Sequence, residues 1–412
     1  MPVQFRHHQL DNGLTLVAET NEQAHTAAVG FFVRTGARDE SSDVMGVSHF
    51  LEHMMFKGTG RRTADDVNRE FDEIGANYNA FTSHEQTVYY AQVLPEFLPR
   101  AVDLLGDMLR PALREEDFDM EKKVILEEIS MYDDRPEWRL QDTLLEDYFG
   151  DHPLAHRVLG TQQTVGDLTA AQMREYFQRR YAPDNIVLAA AGNLDFDRLV
   201  ADADKLCGSW HASGTERDDT QPRPADRQRT LEDTKTNRSY LAVVSPAPAA
   251  DDERRYAMKV LADVLGDADG SRLYWSLVDP GLADEADFAY LPMDGTGVAY
   301  AYASCDPARA DDVERKLHET LQTAFDGFEE DELVRAKNKV ATQATLQGER
   351  PMGRMQSVGR QWQYLGEYLP LEEELGKLQA VTLEDLANVR DAFPFQPTTT
   401  VRLRPAASEV AG

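Results

Sequence analysis

Cysteine is almost missing from this chain: Cys207 and Cys305 are the only two among 412 residues. Two isolated thiols exclude a disulfide framework and a cysteine-rich zinc ribbon, and read as core thiols in a reducing, cytoplasmic compartment. Lysine is scarce as well. The 43 basic residues comprise 10 Lys and 33 Arg, set against 73 acidic residues, for a formal net charge of −30. So acidic a surface argues against nucleic acid or an anionic membrane as partner. It suits a protein kept soluble in high salt, although a GC-rich genome accounts for the Arg bias equally well. Long apolar runs are also lacking. No stretch of about 18 apolar residues occurs, so no membrane span is expected, and Met1 to His8 carries no apolar core of a secretory signal. What the chain does have is 42% hydrophobic residues over its full length, enough for two or three domains with cores of their own.

The stretch with most chemistry in it is His49-Phe50-Leu51-Glu52-His53. Its flanks are apolar and free of proline, so Val47 to Phe56 reads as a buried helix. Residues four apart share a helix face, and His49 and His53 can therefore offer two imidazoles to one ion. Glu52 then stands beside the pair as a carboxylate next to the metal. This H-x-x-E-H order is the inverted-zincin signature. The alternative is a pair of helix histidines satisfied by hydrogen bonds. A catalytic zinc takes three protein ligands and keeps one position for water, so a third ligand is required.

Strands are expected at Gly13 to Ala18 and Ala27 to Arg34, and Thr63 reads as the cap of a helix reaching Ile74. Two aromatic-rich runs follow, and the first, Asn77 to Thr82, is polar enough for a sheet edge. An open edge can take an extended peptide as an added strand, which makes Asn79, Ala80, Phe81 and Thr82 candidate substrate contacts; the alternative is an ordinary hairpin with no binding role. Helices are expected from Leu98 to Leu109 and from Glu115 to Tyr132. On the latter, Glu121, Val124, Ile125, Glu128 and Tyr132 share one stripe by helical spacing. Carboxylates on an apolar face are costly unless something cationic compensates them. Glu128 is accordingly the third ligand and Glu121 a carboxylate orienting a ligand histidine, with Arg-paired carboxylates as the alternative. Glu127, the competing ligand, lies about 100° round the helix.

Together with Phe56-Lys57-Gly58-Thr59, Asn79-Ala80-Phe81-Thr82 and Glu121 to Glu128, the motif resembles the pitrilysin and mitochondrial processing peptidase family of zinc peptidases. The 74 residues between His53 and Glu128 agree with that family's spacing. His152-Pro153-Leu154, Leu159-Gly160-Thr161 and Tyr181 to Asn185 resemble it too. The resemblance implies an α+β fold of two homologous halves, each a mostly antiparallel sheet packed with helices. It implies Zn2+ in the first half, and a homologous half or second subunit, in a homodimer or heterodimer, closing a chamber. The halves are expected at 1–212 and 231–412, joined by a polar linker at 213–230. Glu115-Glu116-Asp117 and Glu329-Glu330-Asp331 open similar charged helices, which supports an internal duplication. At that offset Arg335 and Thr342 stand where Glu121 and Glu128 do, and His318 is the sole histidine of the second half. The second half cannot hold the metal.

The resemblance also implies an Arg and a Tyr from the second half, shortly after a Ser-Arg-Leu stretch. Here Ser271-Arg272-Leu273 is followed by Val278 and Asp284 at those places, leaving the task to another subunit or to other residues, Tyr290 among them. The function expected is a zinc-dependent endopeptidase for peptides or unfolded segments, with Glu52 as the proton-shuttling base. The rival is a non-catalytic subunit of a peptidase complex.

Overall fold

The computed structural model describes residues 3–406; Met1 and Pro2, part of the leader reading, lie outside them. Ala27–Val33 (β3) is buried along its whole length, as an apolar run placed inside a sheet should be. Around it assemble Gln4–Gln9 (β1), Thr15–Thr20 (β2), Asn77–Thr82 (β4), Thr87–Val93 (β5) and Ile186–Gly192 (β6), in the order β1-β2-β6-β3-β5-β4. Among the described residues the polar strand β4 is thus an edge, paired with β5 alone through Asn77↔Gln92 to Thr82↔Thr87.

A second sheet holds Arg227–Asp233 (β7), Ser239–Pro246 (β8), Glu285–Met293 (β9), Thr296–Cys305 (β10) and Thr399–Pro405 (β11), ordered β7-β11-β8-β10-β9. Its pairing repeats the first. In each, one parallel pair (β2 with β6, β7 with β11) is followed by three antiparallel ones. Helices Glu115–Asp133 and Glu330–Gly348 are both 19 residues long, and each is followed by a helix opening on proline, at Pro136 and Pro351. The α+β class and the repeated plan expected from the sequence are present.

Two compact units result, Met1–Ser130 with His156–Asp218 and Leu346–Leu369, and Met131–Ala155 with Asp219–Thr345 and Pro370–Gly412. They are not two contiguous stretches. The helix Pro136–Phe149 buries Leu140, Leu144 and Tyr148 with residues of the second sheet, whereas Pro351–Leu365 lays Met355 and Val358 on Val17, Phe32, Val88 and Ala189 of the first. The polar run also departs from expectation. Residues 227–230 belong to β7, and Ser213, Gly214 and Arg217 are tied down by Asp184, Arg179 and Asp39.

Beneath Pro351–Leu365 lies a buried ion pair, Arg354 with Glu19, whose side chains are 7% and 5% exposed; Tyr368 Oη donates to Glu19 at 2.7 Å. Arg354→Met would strand that carboxylate. We expect it to lower unfolding free energy by about 3–5 kcal/mol, read from the urea midpoint.

Candidate metal centre

The motif helix runs from Val47 to Met55 and begins where two backbones touch. Gly46 has φ +95°, and a Cβ on it would meet the Leu159 carbonyl at 2.6 Å; one on Gly160 would meet the Met45 carbonyl at 2.4 Å. Only glycine fits either place, which gives Leu159-Gly160-Thr161 a physical role. Glu40 secures the same end, its carboxyl accepting from the N–H of Gly46 and of Ser48, both at 2.7 Å. Burial pushes the Glu40 carboxyl from its ordinary 4.5 up to about 8, against the opposing pull of those two N–H groups. A carboxyl that keeps its proton longer folded than unfolded makes the unfolded state gain relative stability as it ionises. Stability is therefore expected to fall as pH rises from about 5 to 8, and Glu40→Gln, whatever its absolute stability, should flatten that slope in chemical denaturation.

One and two turns along, the imidazoles of His49 and His53 lie with centroids 4.8 Å apart. The helix Glu115–Asp133 faces them, burying Phe118, Glu121, Ile125 and Ile129. The stripe expected from spacing is rotated slightly: Val124 is 51% exposed, and Glu128 sits on the flank with its side chain 24% exposed. Glu127 is exposed. The Glu128 carboxylate oxygen is 3.8 Å from His49 Nε2 and 3.6 Å from His53 Nε2. Among the described residues these three form the one cluster with metal-ligand geometry, their donor atoms all within 4.8 Å of one another.

Those separations are too long for hydrogen bonds. They suit atoms that share an ion: donors about 2.0–2.1 Å from one zinc stand roughly 3.4 Å apart at tetrahedral angles. The donor chemistry suits it too. Burial, with the neighbouring His53 adding to it, drops the His49 pKa to about 3, so this ring is neutral and its lone pair available. Burial also acts to lower His53, but the hydrogen bond its ring donates to Glu121 and the charges of Glu128, Glu121 and Glu52 outweigh it, and the net shift is upward. Glu121 Oε1 lies 2.9 Å from His53 Nδ1. That bond turns Nε2 toward Glu128. Lys57 Nζ reaches the other Glu121 oxygen at 2.5 Å; the sequence reading overlooked it, although it stands four residues after His53.

Glu52, on the same motif helix, lies close enough for its charge to act on His53. Burial raises its pKa, while a hydrogen bond from Thr82 Oγ1 at 2.6 Å opposes the rise. Of the four candidate substrate contacts on β4, Ala80 is buried and its N–H bonds Asn79 Oδ1 at 2.9 Å; Asn79 is exposed, and Phe81 packs with the cluster beneath Pro351–Leu365.

Residues 15–162 match the family described as Insulinase (Peptidase family M16), and residues 167–340 match the Peptidase M16 inactive domain. An uncharacterised zinc protease of Mycobacterium tuberculosis is 37% identical over 386 residues, covering 92% of this chain and 88% of its own length. The chain belongs to the M16 peptidase family. Another relative, the uncharacterised zinc protease YmxG of Bacillus subtilis, is 33% identical, covering 92% of this chain and 93% of itself. The crystal structure of a protease from Helicobacter pylori superposes with a TM-score of 0.92 at 19% identity, over 98% of this chain and 100% of that one, which shows a shared fold.

The second half of this M16 chain carries no comparable cluster among the described residues. Of its residues singled out earlier, Val278 ends the short π-turn Tyr274–Val278, and Asp284 pairs with Arg238. Tyr290 Oη donates to the Pro248 carbonyl at 2.8 Å, so its hydroxyl is already engaged. No helix of the described residues is long and apolar enough to cross a membrane.

Proposed function

We propose that this M16 chain is a zinc-dependent endopeptidase for peptides or unfolded segments, with His49, His53 and Glu128 holding the metal and Glu52 as general base. The observation that carries the reading is the convergence of two imidazole Nε2 atoms and a carboxylate oxygen that do not hydrogen-bond one another, beside a fourth side chain, Glu52, left out of the ligand set. Zinc bound there supplies Lewis acidity, which acidifies a water and polarises a peptide carbonyl.

This chain's own residues do the rest. Glu121 keeps the His53 ring turned and its Nδ1 proton engaged. Glu52 takes the proton of the attacking water and later delivers it to the leaving amine. Strand β4 binds the peptide as an added strand along its open edge, by main-chain hydrogen bonds with little regard for side chains. The Asn79 side chain caps the Ala80 N–H when no peptide is there, and an incoming carbonyl replaces it.

We take 1–212 and 231–412 as the homologous halves, and a second half or homologous subunit as the cover that makes chain size and flexibility the filter. The family resemblance supports this last point. A non-catalytic subunit is the second reading, favoured by Val278 and Asp284 in place of the family's Arg and Tyr and by the engaged hydroxyl of Tyr290. Purified chain with zinc and a quenched unstructured peptide tests both. Cleavage abolished by a chelator supports the enzyme; zinc bound without cleavage until a homologous subunit is added supports the rival.

A further inference from the structure

The Glu52 carboxylate accepts its hydrogen bond from a residue of the edge strand itself. Thr82 Oγ1 lies 2.6 Å from Glu52 Oε2, and among the described residues no other donor bonds that carboxylate. Oε1 is left free. We propose that Thr82 is a positioning residue for Glu52, so that the strand offered to the peptide and the carboxylate offered to water form one rigid unit. This inference rests on the peptidase reading above and assigns Thr82 a task other than touching substrate.

Strand geometry places Thr82 for it. Side chains alternate along β4, so Tyr78, Ala80 and Thr82 share one face. On that face Ala80 is in the core together with Phe50 and Leu51 of the motif helix, and Tyr78 stacks on Phe71 with ring centroids 4.1 Å apart. Packing thus seats β4 at two points before Thr82 is reached, in the core shared with the motif helix at Ala80 and on the helix Ala64–Glu73 at Tyr78. At that end of the strand Thr82 meets Glu52.

Beyond Thr82 the hairpin tip is held on every side. The N–H groups of Ala37 and Arg38 donate to the carbonyls of Ser83 and His84 at 3.2 and 2.8 Å. A Cβ on Gly36 would meet the Ser83 carbonyl at 2.2 Å, so the two backbones touch there. Glu85 receives Arg38 Nη1 at 2.6 Å and Tyr364 Oη at 2.8 Å on its carboxylate, and Arg217 Nη2 at 2.5 Å on its carbonyl. Arg38, Glu85 and Arg217 have side chains no more than 5% exposed. A surface hairpin has no need of so many buried polar ties. One whose last side chain must aim a carboxylate does, because a terminal carboxylate torsion is broad when nothing restrains it and misplacement by about 1 Å can cost on the order of 10²-fold in rate.

The test compares the zinc-loaded full chain with its Thr82→Val and Thr82→Ser variants on a quenched unstructured peptide. Valine keeps the β-branched shape and removes the donor; serine keeps the donor. Thr82→Val is expected to lose about tenfold or more in kcat, with KM within about twofold, zinc content and thermal midpoint near wild type, and most of the kcat recovered in Thr82→Ser. Should the valine variant unfold, Thr82→Ala against Thr82→Ser makes the same comparison. Wild-type kcat in Thr82→Val, or a loss shared equally by kcat, KM and zinc content and not rescued by serine, overturns the role. A wild-type chain that cleaves nothing with zinc bound overturns the peptidase reading and this inference with it, whereas cleavage by wild type and Thr82→Val alike overturns this inference alone.

Discussion

Glu52→Gln should bind zinc as tightly as the wild-type chain and turn over at least about 10²-fold more slowly. The amide has the shape of the carboxylate and can still accept the Thr82 hydrogen bond, found at 2.6 Å in the native chain. What it cannot do is take a proton from water. The ligand set is untouched, since His49, His53 and Glu128 are the three residues whose donor atoms converge. Metal analysis and single-turnover cleavage on the same sample check both halves of the prediction. Retained turnover would remove Glu52 from the role of base.

Glu128→Gln should have the opposite profile, failing first in metal retention. The carboxylate oxygen 3.6 and 3.8 Å from the two Nε2 atoms is the only anionic donor of the cluster. Replacing it with a neutral amide removes a charge that compensates the cation. Zinc affinity is expected to fall by more than about 10²-fold, beyond the roughly 10–100-fold expected for Glu121→Gln, which disturbs only the carboxylate behind His53. Competition with a chromogenic chelator gives the dissociation constants, and the ranking Glu128→Gln weaker than Glu121→Gln weaker than wild type is the expected result. Equal affinities in all three would leave the cluster without a metal role.

Much of this centre is legible in the sequence, because both of its halves are local. His49 and His53 meet through a single helical turn, and Glu121 and Glu128 lie seven apart on one helix, so spacing alone aligns each pair. What spacing does not fix is the roll of a helix on its neighbours. Val124 shares the expected stripe, yet packing on the motif helix follows Phe118, Glu121, Ile125 and Ile129 and leaves it 51% exposed.

The less legible features are long-range. Pro136–Phe149 and Pro351–Leu365 have ordinary helical sequences, and nothing local says which sheet each will cover. Arg217 lies in a run polar enough to read as linker, but its guanidinium finds Asp39 and Glu85 across more than a hundred residues and is buried against them. Composition describes the segment; partners distant in sequence decide whether it is anchored. Thr82 is a case between the two. Its place at the end of an edge strand is readable, and its bond to Glu52 follows only once β4 is laid over the motif helix.

Anomalous diffraction at the zinc edge from metal-loaded crystals addresses the central claim most directly. The account predicts one strong peak about 2.0–2.2 Å from His49 Nε2, His53 Nε2 and a Glu128 carboxylate oxygen, with Glu52 outside bonding distance. A peak bound elsewhere on the chain, or a fully loaded crystal with density coordinated by Glu52 in place of Glu128, would contradict it.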